Sequence, residues 1–142
     1  FCSDLAIDGE SDMAWSIGNQ GFEMKLSTYV PSIIQNGIAG LTAKLLNNIS
    51  KDLSDVRYFA IHPGGRKILE SIEIELGIDK QDNKSAYHIL KNYGNMSSPT
   101  ILFVLDEIMS RLIPRDQGER ILSFAFGPGL TLESMILKIE IE

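Results

Sequence analysis

The chain has 142 residues, enough for one domain with its own core, and its 44% hydrophobic and 23% charged residues are ordinary for a soluble globular protein. A net charge of −6 without any Lys/Arg cluster argues against a nucleic-acid partner, and the apolar runs fall well short of a membrane span. Cys2 is the lone cysteine, so no internal disulfide can form, and a reducing cytoplasmic setting is expected.

The opening "FCSDLAIDGE" has no initiator Met and none of the charge-then-apolar pattern of a signal peptide. It reads as a strand over 1–7 and a turn at 8–11, as if cut from something longer. "GFEMKLS" at 21–27 alternates, with Phe22, Met24 and Leu26 on one face, which predicts a half-buried strand. From "STYVP" a helix is expected to about Asn48, its buried stripe being Val30, Ile34, Ile38, Leu41 and Leu45. "VRYFAIH" at 56–62 predicts a strand buried on both faces. The next helix turns Ile68, Leu69, Ile72 and Leu76 inward and stops at Gly77.

A short helix is expected over 82–94, ended by Gly94. Another follows over 97–114, with Ser98 as cap and Pro99 at its first position. Residues 101–105 are apolar on nearly all sides, so this helix is expected to be buried. "RILSFAF" at 120–126 and "TLESMILKIEIE" at 131–142 read as strands around the turn Gly-Pro-Gly. Mixed strands and helices without a linker or repeat make the class α/β, in a single domain over 1–142.

Three stretches could carry chemistry. In "FAIHPGGRKIL", His62 ends a strand, where open α/β sheets place ligands. Gly64 and Gly65 leave bare backbone, and the following helix aims free N–H groups and a positive dipole end at the same place, with Arg66 and Lys67 adding positive charge. The plain alternative is a strand-end histidine satisfied by a backbone carbonyl. In "YGNMSSP", Asn95 is either a turn residue or an amide donor aimed into a cavity; a His and an Asn beside glycines can together stabilise an oxyanion. "FAFGPGL" alone is a hairpin turn.

Taken in order, "AIHPGGRKIL", "YGNMSSPTILFVLDEI" and "FAFGPGLTLES" resemble the C-terminal region of type III polyketide synthases, the chalcone synthase family. "DMAWSIGNQGFEMKLSTYVPSII" is similar to the bacterial members more than to the plant enzymes. The resemblance implies the C-terminal half of a thiolase-like fold, a mixed sheet with helices packed on it, and a Cys–His–Asn triad that condenses malonyl-coenzyme A units onto an acyl-coenzyme A starter. His62 and Asn95 match the catalytic His and Asn. Phe22 matches a phenylalanine that gates the passage between coenzyme A tunnel and cavity; without the resemblance, core packing on a strand is the plain reading. Gly64, Gly65 and Lys67 match the segment along the pantetheine arm, and Ser97 lies near the cavity. Ala125, Phe126, Gly127, Pro128 and Gly129 match the loop shaping the cyclisation cavity, with Ala125 replacing a glycine.

The resemblance further implies coenzyme A thioesters as substrates, no cofactor or metal, and a homodimer. The nucleophilic cysteine belongs to the N-terminal half, and Cys2 is a strand residue rather than its substitute. This chain therefore reads as a fragment lacking that half. A coenzyme A-primed ketoacyl-carrier-protein synthase and a non-catalytic stand-alone domain of the same fold are the alternatives. "HPGG" and "YGNMSS" favour the first reading.

Overall fold

The computed structural model describes residues 1–141, and it holds two sheets and four helices. β1 (Cys2–Leu5) leads through a 3-10 turn at 7–9 into a hairpin of β2 (Met13–Gly18) and β3 (Gly21–Leu26). Then come α1 (Val30–Asn47), β4 (Tyr58–Ile61), α2 (Arg66–Leu76), α3 (Lys84–Tyr93), α4 (Pro99–Met109), β5 (Arg120–Gly127) and β6 (Thr131–Lys138). The main sheet has the order β1-β6-β5-β4, with β4 parallel to β5 and the other two pairs antiparallel. The last residue of the strand expected over 131–142, Glu142, lies outside the described residues.

The α1 stripe is buried as expected: Val30, Ile34, Ile38, Leu41 and Leu45 pack α1 against α2, β6 and β1. Burying each such side chain contributes roughly 1.5–3 kcal/mol. Ile68, Leu69, Ile72 and Leu76 form the inward face of α2, and Gly77 closes it in the left-handed conformation at φ 65°. β4 sits at the sheet edge, yet Phe59, Ala60 and Ile61 are all buried, so both its faces are covered. The parallel pairing of β4 with β5 requires a long crossover, and that crossover carries α2, α3 and α4.

Three expectations need correction, and one further strand is present. The first strand ends at Leu5, because the chain turns into the 3-10 segment. β3 is not half-buried but exposed throughout: it pairs only with β2, forming a ribbon that stands off the main sheet. β2 itself was not anticipated, although Met13, Trp15 and Ile17 alternate ahead of the turn Gly-Asn-Gln-Gly; they pair with Leu26, Met24 and Phe22 to give the ribbon one apolar face. Finally, α4 buries Val104, Leu105 and Ile108 against its neighbours, while Leu102 stays 63% exposed and Phe103 and Met109 are exposed too. Its inner face packs on α3 and β4.

Candidate active site

The β4–β5 ladder continues one residue past β4: the His62 N–H donates to the Phe124 carbonyl at 2.9 Å. This fixes the His62 backbone at the carboxyl end of the sheet with its side chain 7% exposed. The Gly64 N–H then folds back onto the His62 carbonyl at 2.9 Å. A Cβ at Gly64 would lie 2.9 Å from Ile68 Cδ1, which would have to shift, and in ordinary contact with the imidazole, 3.9 Å from Nε2. At Gly65 the backbone is extended and a Cβ would meet nothing; this residue presents bare backbone to open space. It provides no side-chain cap for α2, which leaves first-turn amides available to a ligand.

Asn95 arrives from the other side. α3 ends at Tyr93, and Gly94 takes φ 72°, ψ −164°, a region essentially reserved for glycine. That turn lets the Asn95 Nδ2 donate to the Gly64 carbonyl at 3.2 Å, while its Oδ1 accepts the Ser97 N–H at 2.9 Å. Ser97 holds φ 65°, a left-handed conformation uncommon outside glycine. Ser98 does not cap α4, contrary to expectation, because it already has helical dihedrals. The buried Thr100 hydroxyl instead ties down the preceding loop, accepting the Met96 N–H and donating to the Ser97 carbonyl, both at 2.8 Å. On the surface Glu107 joins His88 of α3, at 2.7 Å, and Arg111 beyond α4.

The β5–β6 turn completes the enclosure. A cleft of about 510 Å³ is walled by His62, Asn95 and Ser97, by Ala125 to Pro128, and by Met13, Trp15, Met24 and Leu26 of the ribbon. A second cavity of about 270 Å³ lies along Gly64, Gly65, Arg66 and Lys67. Between them is a neck of only about 30 Å³. His62 and Asn95 line both the neck and the larger cleft; Gly64 and Ile68 line both the neck and the smaller cavity.

Of the residues singled out from the sequence, His62, Asn95, Ser97, Phe126, Gly127 and Pro128 share the larger cleft, and Gly64, Gly65 and Lys67 the smaller cavity. Phe22 joins neither set. It is 77% exposed at the ribbon tip, edge-on to Trp15 with ring centroids 6.5 Å apart. The β3 residues in the cleft wall are Met24 and Leu26. Alternation places all three on one face but does not reveal where along the ribbon the cleft ends.

Residues 3–140 match the family model of the C-terminal domain of chalcone and stilbene synthases. The chain belongs to the chalcone and stilbene synthase family. This synthase domain is 31% identical over 137 residues to the alpha-pyrone synthesis polyketide synthase-like Pks18 of Mycobacterium tuberculosis (strain H37Rv), covering 96% of this chain and 35% of that protein. It is 36% identical over 141 residues to type III polyketide synthase 21 of Oryza sativa subsp. japonica, covering 96% and 34%. Bacterial and plant relatives thus match at comparable identity, which leaves the bacterial resemblance undecided. Among solved structures, polyketide synthase PKS-I from the brown alga Ectocarpus siliculosus superimposes with a TM-score of 0.88 at 29% identity, covering 96% of this chain and 38% of that one. The domain therefore has the fold of the C-terminal half of a thiolase-like type III polyketide synthase. It spans about a third of the length of the curated relatives it matches here.

Burial holds the His62 imidazole below its ordinary value of 6.5. His62 is therefore mostly neutral at pH 7, able to accept one proton and to donate another. Among the described residues no group of three or more His, Cys, Asp or Glu could hold a metal ion, and no described helix is long and apolar enough to cross a membrane.

Proposed function

We propose that this domain supplies the His and Asn of a Cys–His–Asn triad that carries out decarboxylative condensation of malonyl-coenzyme A units onto an acyl-coenzyme A starter. The observation that carries this reading is the position of His62 and Asn95 at the neck between the two cavities. A thioester whose pantetheine arm lay along Gly64, Gly65 and Lys67 would bring its carbonyl to the neck. Its growing chain would then occupy the larger cleft.

The chemistry follows from the residue types. Neutral His62 can take the proton of a cysteine thiol from the other half of the fold, and the resulting imidazolium–thiolate pair makes the sulfur nucleophilic. That sulfur accepts the starter acyl group and releases coenzyme A. Malonyl-coenzyme A then loses carbon dioxide: the C–C bond breaks and its electron pair becomes an enolate whose negative charge sits on the thioester oxygen. An imidazole N–H and the second Nδ2 hydrogen of Asn95 are fitting donors for that oxygen. The enolate carbon attacks the acyl thioester and the cysteine thiolate departs.

In this proposal coenzyme A thioesters are substrates, no cofactor is required, and the complete enzyme is a cytoplasmic homodimer in which the N-terminal half supplies the cysteine. The test is a product assay. Incubated with acyl- and malonyl-coenzyme A, the full-length protein should give time-dependent polyketide by mass spectrometry. The 142-residue chain alone should give none. Product from the isolated chain, or none from the full-length protein with any of a panel of starters, would overturn the reading.

A further inference from the structure

The seam between α2 and α3 holds a polar clamp that the proposed chemistry does not use. Asn83, just before α3, is completely buried. Its Nδ2 donates to Glu73 Oε1 of α2 at 3.0 Å, and one turn later the Tyr87 hydroxyl donates to Glu73 Oε2 at 3.2 Å. A single carboxylate thus takes donors from two positions of α3, one on each oxygen. The Lys80 ammonium covers the Tyr87 ring, 4.4 Å from its centroid. Asn83 Oδ1 is the one buried side-chain oxygen or nitrogen without a partner among the described residues. A buried amide oxygen left unpaired is costly. It persists here because the other end of the amide is committed to the carboxylate.

The clamp joins the two elements that deliver the site. α2 begins at Arg66, just after His62 and Gly64, while α3 ends at Tyr93, just before Gly94 and Asn95. At a rise of about 1.5 Å per residue, Glu73 lies about 10 Å from the start of α2 and Tyr87 about 9 Å from the end of α3. Asn95 is itself exposed and meets the His62 loop through one side-chain bond to Gly64. Any slip of α3 along α2 stretches that bond.

We propose that Glu73 is a positioning residue: by accepting from Asn83 and Tyr87 it sets the height of α3 on α2 and so holds the Asn95 amide against the Gly64 carbonyl. The catalytic consequence rests on the reading of His62 and Asn95 above; the geometric one does not.

The test uses the full-length protein with Glu73→Ala, Glu73→Gln and, as a control for loss of core packing alone, Leu45→Val. Glutamine can preserve the clamp. Its Oε1 accepts from Tyr87, and its amide N–H donates to Asn83 Oδ1, the atom now unpaired, once the Asn83 amide turns over. Hydrogen–deuterium exchange is read peptide by peptide, and malonyl-coenzyme A decarboxylation is resolved into kcat and KM. Glu73→Ala should speed exchange at 94–98, leave α1 unchanged, and lower kcat roughly 10-fold or more with KM within about 2-fold, since misplacement of a reacting group costs turnover. Glu73→Gln should restore both. Unchanged exchange at 94–98, an increase spread over the whole chain or shared by Leu45→Val, or Glu73→Gln as impaired as Glu73→Ala would each overturn the proposal. If the unsubstituted protein does not decarboxylate malonyl-coenzyme A, the reading of the site fails, and the exchange pattern still decides the clamp.

Discussion

The Asn95 side-chain amide donates to the Gly64 carbonyl, 3.2 Å away, and so bridges the loop that follows β4 and the loop that follows α3. The bond uses one of two Nδ2 hydrogens. The Ser97 N–H holds the amide oxygen, which leaves the amide in one orientation with its second hydrogen unassigned. Asn95 thus ties the loops with one amide hydrogen and keeps the other free for the role proposed above.

In the full-length protein, His62→Ala and Asn95→Ala are each expected to slow malonyl decarboxylation by about two or more orders of magnitude, the scale of losing an oxyanion donor. The double substitution should cost less than the sum, because both groups serve one oxygen. Single-turnover release of carbon dioxide measures this, and near-normal rates in both single variants would remove the assignment.

Met24, rather than Phe22, is expected to govern starter preference or product length. Met24→Ala enlarges the cleft wall and should change the product profile. Phe22→Ala, at an exposed ribbon tip, should leave products unchanged and shift stability by less than the roughly 3–5 kcal/mol typical of a core phenylalanine. Product spectra and melting curves on both variants separate the two positions.

Acid should weaken the fold through Asp116. Its carboxylate accepts from the Ile113 N–H and the Tyr58 hydroxyl, each at 2.9 Å. The backbone bond to Ile113 is the main cause that holds it below its ordinary 3.8, with the Tyr58 bond and the nearby Arg115 and Arg57 charges adding to it and burial opposing. A carboxylate depressed on folding stabilises the native state above its unfolded value, and that contribution disappears as pH falls from there through the folded value. Denaturant melts at a series of pH values should therefore show a loss beginning near pH 4 that is smaller in Asp116→Asn. Identical acid slopes would remove this role.

The isolated chain should bind a hydrophobic dye and self-associate as concentration rises. Leu102, Phe103 and Met109 are exposed on α4, and Tyr93 stacks beside Phe103 with centroids 5.4 Å apart. Contiguous apolar surface of this kind marks an interaction site. Sedimentation at several concentrations, with and without Leu102→Lys, tests it: the substitution should reduce association, and a dye-negative monomer before substitution would count against the patch.

Local rules made much of the fold legible. The α1 stripe and the inward residues of α2 follow helical spacing, and the stops at Gly77 and Gly94 follow from dihedrals that glycine alone takes readily. His62 was legible because a polar residue interrupted an apolar strand just ahead of two glycines. The ribbon was not, because strand pairing depends on a partner: the alternation at Met13, Trp15 and Ile17 became meaningful only opposite Leu26, Met24 and Phe22. The exposure of Leu102 was hidden for a related reason, since an all-round apolar helix specifies burial without saying what buries it. Glu73 left no signal at all; a glutamate at that spacing looks like any solvated helix face until α3 folds across it.

His62 and Asn95 belong to the single crossover between β4 and β5, and the Ala125 to Gly127 wall closes that same run, so all of them fall within residues 58–127. The ribbon that supplies the rest of the wall is encoded upstream, beyond α1. A recombination joint anywhere between 48 and 57 would carry His62 and Asn95 together into a sister sequence while leaving the recipient's own ribbon in place. The ribbon's share of the cavity contour can therefore be inherited separately from His62 and Asn95, while the share from the β5–β6 turn travels with them.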